Sequence, residues 1–207
     1  YRLWKLAGAD RYLLRHETAN AALYAHLHPD SSLNSRLTHL RWLRELGYQV
    51  GAGFMVGSPG QSVEHIADDV EFLRDFQPDM AGIGPYIAHP DTPFAGMPSG
   101  TVDMTLKAIA LARIVTRDAL LPATTAIGSI DSSGRDRALQ AGADVVMPNF
   151  TPLTYRSDYE IYPNKVCLTE DPEHCLASIE EWLRSIGRPI STGPGHSRKR
   201  ERRTIEA

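Results

Sequence analysis

Cysteine is scarce in this chain, with two in 207 residues, and that scarcity excludes a disulfide framework as its organising device. A zinc or iron–sulfur site made here alone would want four ligands, and Cys167, Cys175 and the neighbouring His174 fall short. The eight histidines form no His-Glu-x-x-His or other compact metal spacing. No apolar run approaches the roughly eighteen residues of a membrane-spanning helix. No basic segment leads into a short apolar one, as a secretory signal requires, and a cytoplasmic location is expected. Charge imbalance is slight, -3 formally, so neither nucleic acid nor a membrane is expected as partner. Glycine-rich phosphate loops are missing too: no Gly-x-Gly-x-x-Gly or Gly-x-x-x-x-Gly-Lys-Ser/Thr follows a strand pattern. The sequence does not open on methionine, and Tyr1 to Gly8 reads as the closing turns of a helix, so a sequence incomplete at its N-terminus is expected.

What is present is the composition of one globular domain: 42% hydrophobic and 23% charged residues allow a full-sized core. The domain is expected over residues 1–190, and a basic tail over 191–207, rich in glycine, proline and arginine, is expected to be poorly ordered. Arg11 to Leu14 reads as a short strand. Leucines at 37, 40, 43 and 46 mark a helix over Asn34 to Leu46 that Gly47 closes. Tyr48 to Val56 is the next strand, and Val63, Ile66, Val70 and Leu73 line the helix after it. Met80 to Ile87 is a strand, and Asp103 to Arg117 a helix with Leu106, Ile109, Ala110 and Ile114 on one side. Pro122 to Ile127 reads as a strand, Gly134 to Gln140 as a helix, Ala143 to Met147 as a strand, and Asp171-Pro172-Glu173 as the start of a last helix. Five strand-then-helix units imply a parallel sheet covered by helices. Such a series fits either a complete doubly wound domain or part of a (β/α)8 barrel.

Ligand sites in such folds lie outside the carboxyl ends of the strands. There, Arg11-Tyr-Leu-Leu-Arg-His-Glu-Thr18 ends its strand in Arg15, His16 and Glu17. Glu17 can hold an ammonium group or ribose hydroxyls, and Arg36 can bind a carboxylate bidentately; the plainer reading is an ion pair of Glu17 with Arg15 or Arg36. Glycines at 51, 53 and 57, and at 82 and 84, permit close approach of a flat ligand or simply bend the strands. Thr124 and Thr125 point to opposite faces in a regular strand, so one of them faces the interior. Tyr155, Tyr159 and Tyr162, with Asn149, follow the final strand, where a substrate lid or a packed loop could sit.

Taken as a set, Arg11-Tyr-Leu-Leu-Arg-His-Glu-Thr-Ala-Asn20, Gly51-Ala-Gly-Phe-Met-Val-Gly-Ser-Pro-Gly-Gln61, Gly82-Ile-Gly-Pro-Tyr-Ile-Ala-His-Pro-Asp-Thr-Pro93, Pro122-Ala-Thr-Thr-Ala126 and Met147-Pro-Asn-Phe-Thr-Pro152 resemble the radical S-adenosylmethionine maturases of [FeFe]-hydrogenase. The likeness runs from about residue 8 to 190. It implies an α/β fold, a radical-SAM (β/α)8 TIM-type barrel, with about the last five β/α units present in this chain. It implies that S-adenosylmethionine is held by Glu17 and Arg36 with Arg15 beside them. Thr124, Thr125, Met147, Tyr159, Tyr162 and Arg11 would line the substrate side. The family's Cys-x-x-x-Cys-x-x-Cys motif, which holds a [4Fe–4S] cluster, does not occur here and is expected upstream of Tyr1, so the chain alone is expected to be inactive. Some members carry an auxiliary cluster on Cys-x7-Cys-x2-Cys; Cys167 and Cys175 match, but Ser178 takes the third place, and no auxiliary cluster is expected.

The activity the likeness implies is reductive cleavage of S-adenosylmethionine to a 5′-deoxyadenosyl radical. That radical would act on a small iron–carbonyl–cyanide–cysteine precursor of the hydrogenase centre, with other hydrogenase maturases as partners. A methylornithine synthase or biotin-synthase-like enzyme of the same branch would share the cofactor residues and differ in the barrel lining. A non-enzymatic binding domain derived from the fold is the alternative of another kind.

Overall fold

Three parallel strands, β1 (Arg11–Leu13), β2 (Gln49–Val56) and β3 (Met80–Pro85), lie side by side in chain order. They belong to a computed structural model that describes residues 1–163 and 172–199, the side chains of 172–175 excepted. Register pairs Arg11 with Gln49, Leu13 with Gly51, Gly53 with Gly82 and Met55 with Gly84. Beyond β3, among the described residues, the sheet continues as isolated parallel bridges, Met80 to Leu120 and Pro122 to Val145. The order of the strands and the crossovers between them agree with part of a parallel barrel.

Helices α1 (Arg2–Leu6), α2 (Ala21–Leu27), α3 (Leu33–Glu45), α4 (Val63–Phe76), α5 (Val102–Thr116), α6 (Thr125–Ile130), α7 (Gly134–Gln140), α8 (Leu153–Arg156) and α9 (Pro172–Ser185), with a 3-10 turn at Ser157–Tyr159, complete the described elements. None of them is long and apolar enough to cross a membrane. Alternation along the strands divides the two faces of the sheet. Ala52, Phe54, Val56, Ala81 and Ile83 point outward and pack on Ile66, Val70 and Leu73 of α4 and Ala108, Ile109 and Ala112 of α5, all buried. A second cluster, Leu40, Leu43, Tyr48 and Val50, seats α3. The opposite face carries Arg11, Leu13, Gln49, Gly51, Gly53, Met55, Met80, Gly82 and Gly84 in paired positions, so much of it is bare backbone.

Three expectations from the sequence change. Pro122 to Ile127 does not continue as a strand. Pro122 makes a single bridge, Thr124 precedes α6, and Ile127 is buried within that helix against Gly134 of α7. Packing has overridden the strand preference of the two threonines. Ala143 to Met147 likewise contributes one bridge rather than a strand. On α5 the buried stripe is Thr105, Ala108, Ile109, Ala112 and Thr116, while Ile114 is exposed. Each threonine hydroxyl donates to the carbonyl one turn back, Thr101 O and Ala112 O, so threonine is buried without an orphaned donor. Helix α2 has no counterpart in the sequence reading, although Asn20 caps it by accepting from the Ala22 and Leu23 N–H groups.

At the starts of the strands, Asp79 accepts from Val50 N at 2.9 Å and joins β2 to the segment before β3. Across this end run residues 194–199. The Ser197 N–H donates to Gln49 Oε1 at 2.7 Å, Lys199 Nζ donates to Gln77 Oε1 and Pro78 O, and Arg11 donates to Pro194 O.

Gly53 has the tightest surroundings in the sheet. Its φ is 152°, and a Cβ there would sit 2.1 Å from the Gly82 carbonyl oxygen, a backbone atom that cannot swing away. Gly53→Ala should therefore destabilise the protein by about 3 kcal/mol. Gly96→Ala, where φ is 76° and no heavy atom lies within 4 Å, should cost only about 1 kcal/mol. Urea melts of both variants check the contrast.

Candidate functional site

The carboxyl ends of β1 and β2 meet at Glu17. After Leu13 the chain keeps contact with β2, as Leu14 N donates to Gly51 O and Glu17 N to Gly53 O. Glu17 adopts φ 69°, a left-handed conformation uncommon outside glycine, asparagine and aspartate. Its side chain is mostly buried, 17% exposed. Arg15 Nε lies 3.8 Å from Glu17 Oε2, beyond hydrogen-bond reach, and neither atom has a hydrogen-bond partner. The other end of the Arg15 guanidinium donates to the Phe54 carbonyl. The site therefore holds an ion pair with spare hydrogen-bonding capacity on both members.

His16 sets the position of this turn. Its ring is fully buried between Phe54 and Phe72, with centroids at 5.9 and 4.3 Å. Nδ1 accepts from Gly53 N at 3.2 Å, so the ring is neutral and its proton is on Nε2, which faces Asp69 Oδ1 at 3.2 Å. Asp69, fully buried on α4, also accepts from Ala19 N at 2.5 Å, while its Oδ2 has no partner. Burial pushes the Asp69 carboxyl above the usual aspartate value; the hydrogen bonds from His16 and Ala19 oppose the shift.

The interior wall next to Glu17 is flat. Gly53 and Gly82 are opposed there, and Gly84 has Thr124 against it, with Oγ1 2.8 Å from where a Cβ would stand. Thr124 Oγ1 is buried and unpartnered. At the exit of β2, Gln61 accepts from Gly57 N at 2.6 Å and donates to Met55 O at 2.8 Å, which fixes the loop bordering the wall.

The remaining residues singled out from the sequence lie farther off. Arg36 is on α3, donating from Nε to Tyr24 Oη at 3.1 Å. Thr125 is the first residue of α6 rather than a strand neighbour of Thr124. Met147 and Tyr159 are exposed and Tyr162 is half-buried. Arg11 sits at the opposite end of β1, with His196 Nδ1 at 3.1 Å, and the pairing of Arg11 with Gln49 and Glu17 with Phe54 puts roughly 17 Å of strand between the two. Cys167 lies outside the described residues, as does the Cys175 side chain. Sequence reasoning passed over Asp69, which looks like a solvated helix acid beside Asp68, and Arg156. Arg156 is buried and donates to Asn149 O at 2.8 Å and Thr151 O at 2.7 Å, which organises the loop carrying Tyr155 and Tyr159.

A partial parallel α/β barrel with an acidic residue and a glycine wall at its carboxyl mouth is the class this geometry defines. The crystal structure of methylornithine synthase (PylB) shares the fold, with a TM-score of 0.75 over 90% of this chain and 54% of that one at 24% identity. In sequence the chain is 50% identical over 188 residues to the [FeFe] hydrogenase maturase subunit HydE of Thermotoga maritima, covering 91% of this chain and 54% of that protein. It is 27% identical to a 3-methylornithine synthase of Methanosarcina acetivorans, over 74% of this chain and 44% of that protein. No family model matches the chain. The chain thus spans about half the length of the curated relatives it matches. The recognition drawn from the motifs is borne out: this chain is a relative of the [FeFe] hydrogenase maturase subunit HydE.

Asp69 gives the fold a pH signature. A carboxyl whose value is raised on folding binds its proton more tightly in the folded state, so its contribution is greatest below the ordinary aspartate range and is lost as pH rises through the raised value. Asp69→Asn should therefore melt higher than wild type at neutral pH, with a gap that shrinks on acidification. A gap that stays constant across the pH series would contradict the assignment.

Proposed function

We propose that the intact protein binds S-adenosylmethionine at the mouth formed by Glu17, Arg15 and the Gly53–Gly82–Gly84 wall. The observation that carries this is Glu17 itself: a mostly buried carboxylate with an unsatisfied oxygen, in a left-handed turn, at the carboxyl end of a parallel sheet. An internal ion pair alone would have closed to hydrogen-bond distance. A ligand with hydroxyl or ammonium donors completes it. The glycine wall admits a flat ring against backbone, and at Gly53 the Gly82 carbonyl leaves no room for a Cβ. The 50% identity to HydE supports the same cofactor.

When bound beside a reduced [4Fe–4S] cluster, S-adenosylmethionine supplies a 5′-deoxyadenosyl radical. In this reading the cluster's cysteines are not in this chain, whose described residues gather no set of three metal-ligating side chains. The chain's own share is binding and orientation. Glu17 takes the ribose or ammonium donors, with Arg36 reaching in from α3 toward the methionyl carboxylate. Thr124 offers its free hydroxyl to a substrate in the interior, Thr125 contributes from the start of α6, and Met147, Tyr159 and Tyr162 from the segments that follow. Arg11 meets an anionic substrate group from the other end. The substrate proposed is a small iron–carbonyl–cyanide complex on cysteine, passed on by another hydrogenase maturase, as the kinship with HydE suggests.

The test is reconstitution of the intact protein with iron and sulfide under reducing conditions, with S-adenosylmethionine cleavage as readout. Glu17→Gln should weaken S-adenosylmethionine binding at least tenfold, or about 1.4 kcal/mol. Unchanged binding by that variant would return Glu17 to a purely structural role.

A further inference from the structure

We propose that Asp69 is a positioning residue for the cofactor-binding turn, a single buried carboxylate that holds Glu17 in its left-handed conformation by gripping the chain on both sides of it. The grip is direct. Asp69 Oδ1 receives the His16 Nε2 proton at 3.2 Å and the Ala19 N–H at 2.5 Å, so residues 16 and 19 are tied to one atom of α4 and residues 17 and 18 must arch between them. Thr18 closes the arch by accepting from Asn20 N at 3.2 Å.

The same carboxylate reaches the glycine wall. Through His16 Nδ1 it fixes the Gly53 N–H, and the Gly53 carbonyl in turn receives the Glu17 N–H at 3.0 Å. Asp69, His16, Gly53 and Glu17 therefore form one continuous chain of hydrogen bonds from the helix layer to the mouth of the barrel. The His16 ring is wedged between two phenylalanines.

Stability does not explain this carboxylate. It is fully buried, its neighbour His16 is neutral, one oxygen is unpaired, and Asp68 adds repulsion. An apolar residue in such a place would usually serve the fold better. Residues that break a local rule at a cost to the fold are concentrated where geometry is needed for function. Charge is what the position requires: hydrogen bonds to an ionised acceptor are about twice as strong as neutral ones, and a strained φ persists only where its surroundings over-determine it.

This inference rests on the reading of Glu17 as a cofactor ligand, and three measurements on the intact protein separate the two. With Asp69→Asn, amide exchange at Glu17, Ala19 and Gly53 should accelerate at least tenfold with no fall in melting temperature, and S-adenosylmethionine affinity should drop about tenfold. A lowered melting temperature without selective exchange would make Asp69 an ordinary structural residue and overturn the proposal. His16→Leu removes the acceptor for Gly53 N and should loosen Gly53 and Glu17 together; unchanged exchange in that variant would also overturn it. If Glu17→Gln binds S-adenosylmethionine normally while Asp69→Asn still loosens the turn, the cofactor reading falls and the positioning role stands. If Glu17→Gln weakens binding and Asp69→Asn does not, the positioning role falls alone.

Discussion

Backbone touching backbone is the constraint on which the rest of this structure depends. Where β2 meets β3, the space a side chain would need at Gly53 is already filled by the Gly82 carbonyl. Gly100 is similarly placed against the Val56 carbonyl, 1.9 Å from where its Cβ would stand. Strands drawn this close leave the outer face to do the packing, and Phe54, Ile83 and their helix partners fill it. The inner face stays bare and open to a ligand.

Polar order is then imposed from behind the sheet. His16 and Asp69 act at the carboxyl ends of the strands, and Asp79 at their starts. Each is a buried acceptor for a main-chain N–H that the ladder itself leaves unpaired, which is how irregular backbone survives inside a fold. The orphaned oxygens of Glu17 and Thr124 stand on the other side of the sheet, toward the interior. Behind the sheet, by contrast, Asp69 and Asp79 each engage one oxygen and leave the other unpaired.

Much of this was legible in the sequence where periodicity is strong. The leucine spacing of α3, the extent of α4 and the parallel order of the first three strands follow from repeats of one residue type or from apolar runs bounded by glycine. Legibility failed where a residue's role depends on a partner far along the chain. Thr124 and Thr125 carry a strand preference, yet Thr125 opens α6, whose Ile127 packs against Gly134 of α7. Thr105 and Thr116 look polar but are core, because each hydroxyl is bonded within its own helix. Asp69 is 53 positions from His16, and nothing local distinguishes it from Asp68. Glu17 stood out because three ionisable groups at a strand's end have no reason in packing; its companion Arg15 was a better guess for an ion pair than Arg36, whose Nε is engaged by Tyr24.

The segment lying across the strand starts has a consequence in time as well as in space. Its contacts join residues very distant along the chain: Gln49 and Ser197 are 148 positions apart, and Arg11 and His196 are 185 apart. Closing so long a loop costs only slightly more entropy than closing a moderate one, so distance is no obstacle to the final state. It does dictate sequence of events. A chain emerging from the ribosome at about 5–20 residues per second can pair β1 to β3 and cover them with α4 and α5 while the start of the sheet remains open, and only residues 194–199, made well after β3, can shut it. Until then Gln49 and Asp79 face water, and the open end of the sheet is a feature of the nascent protein that the finished one no longer has.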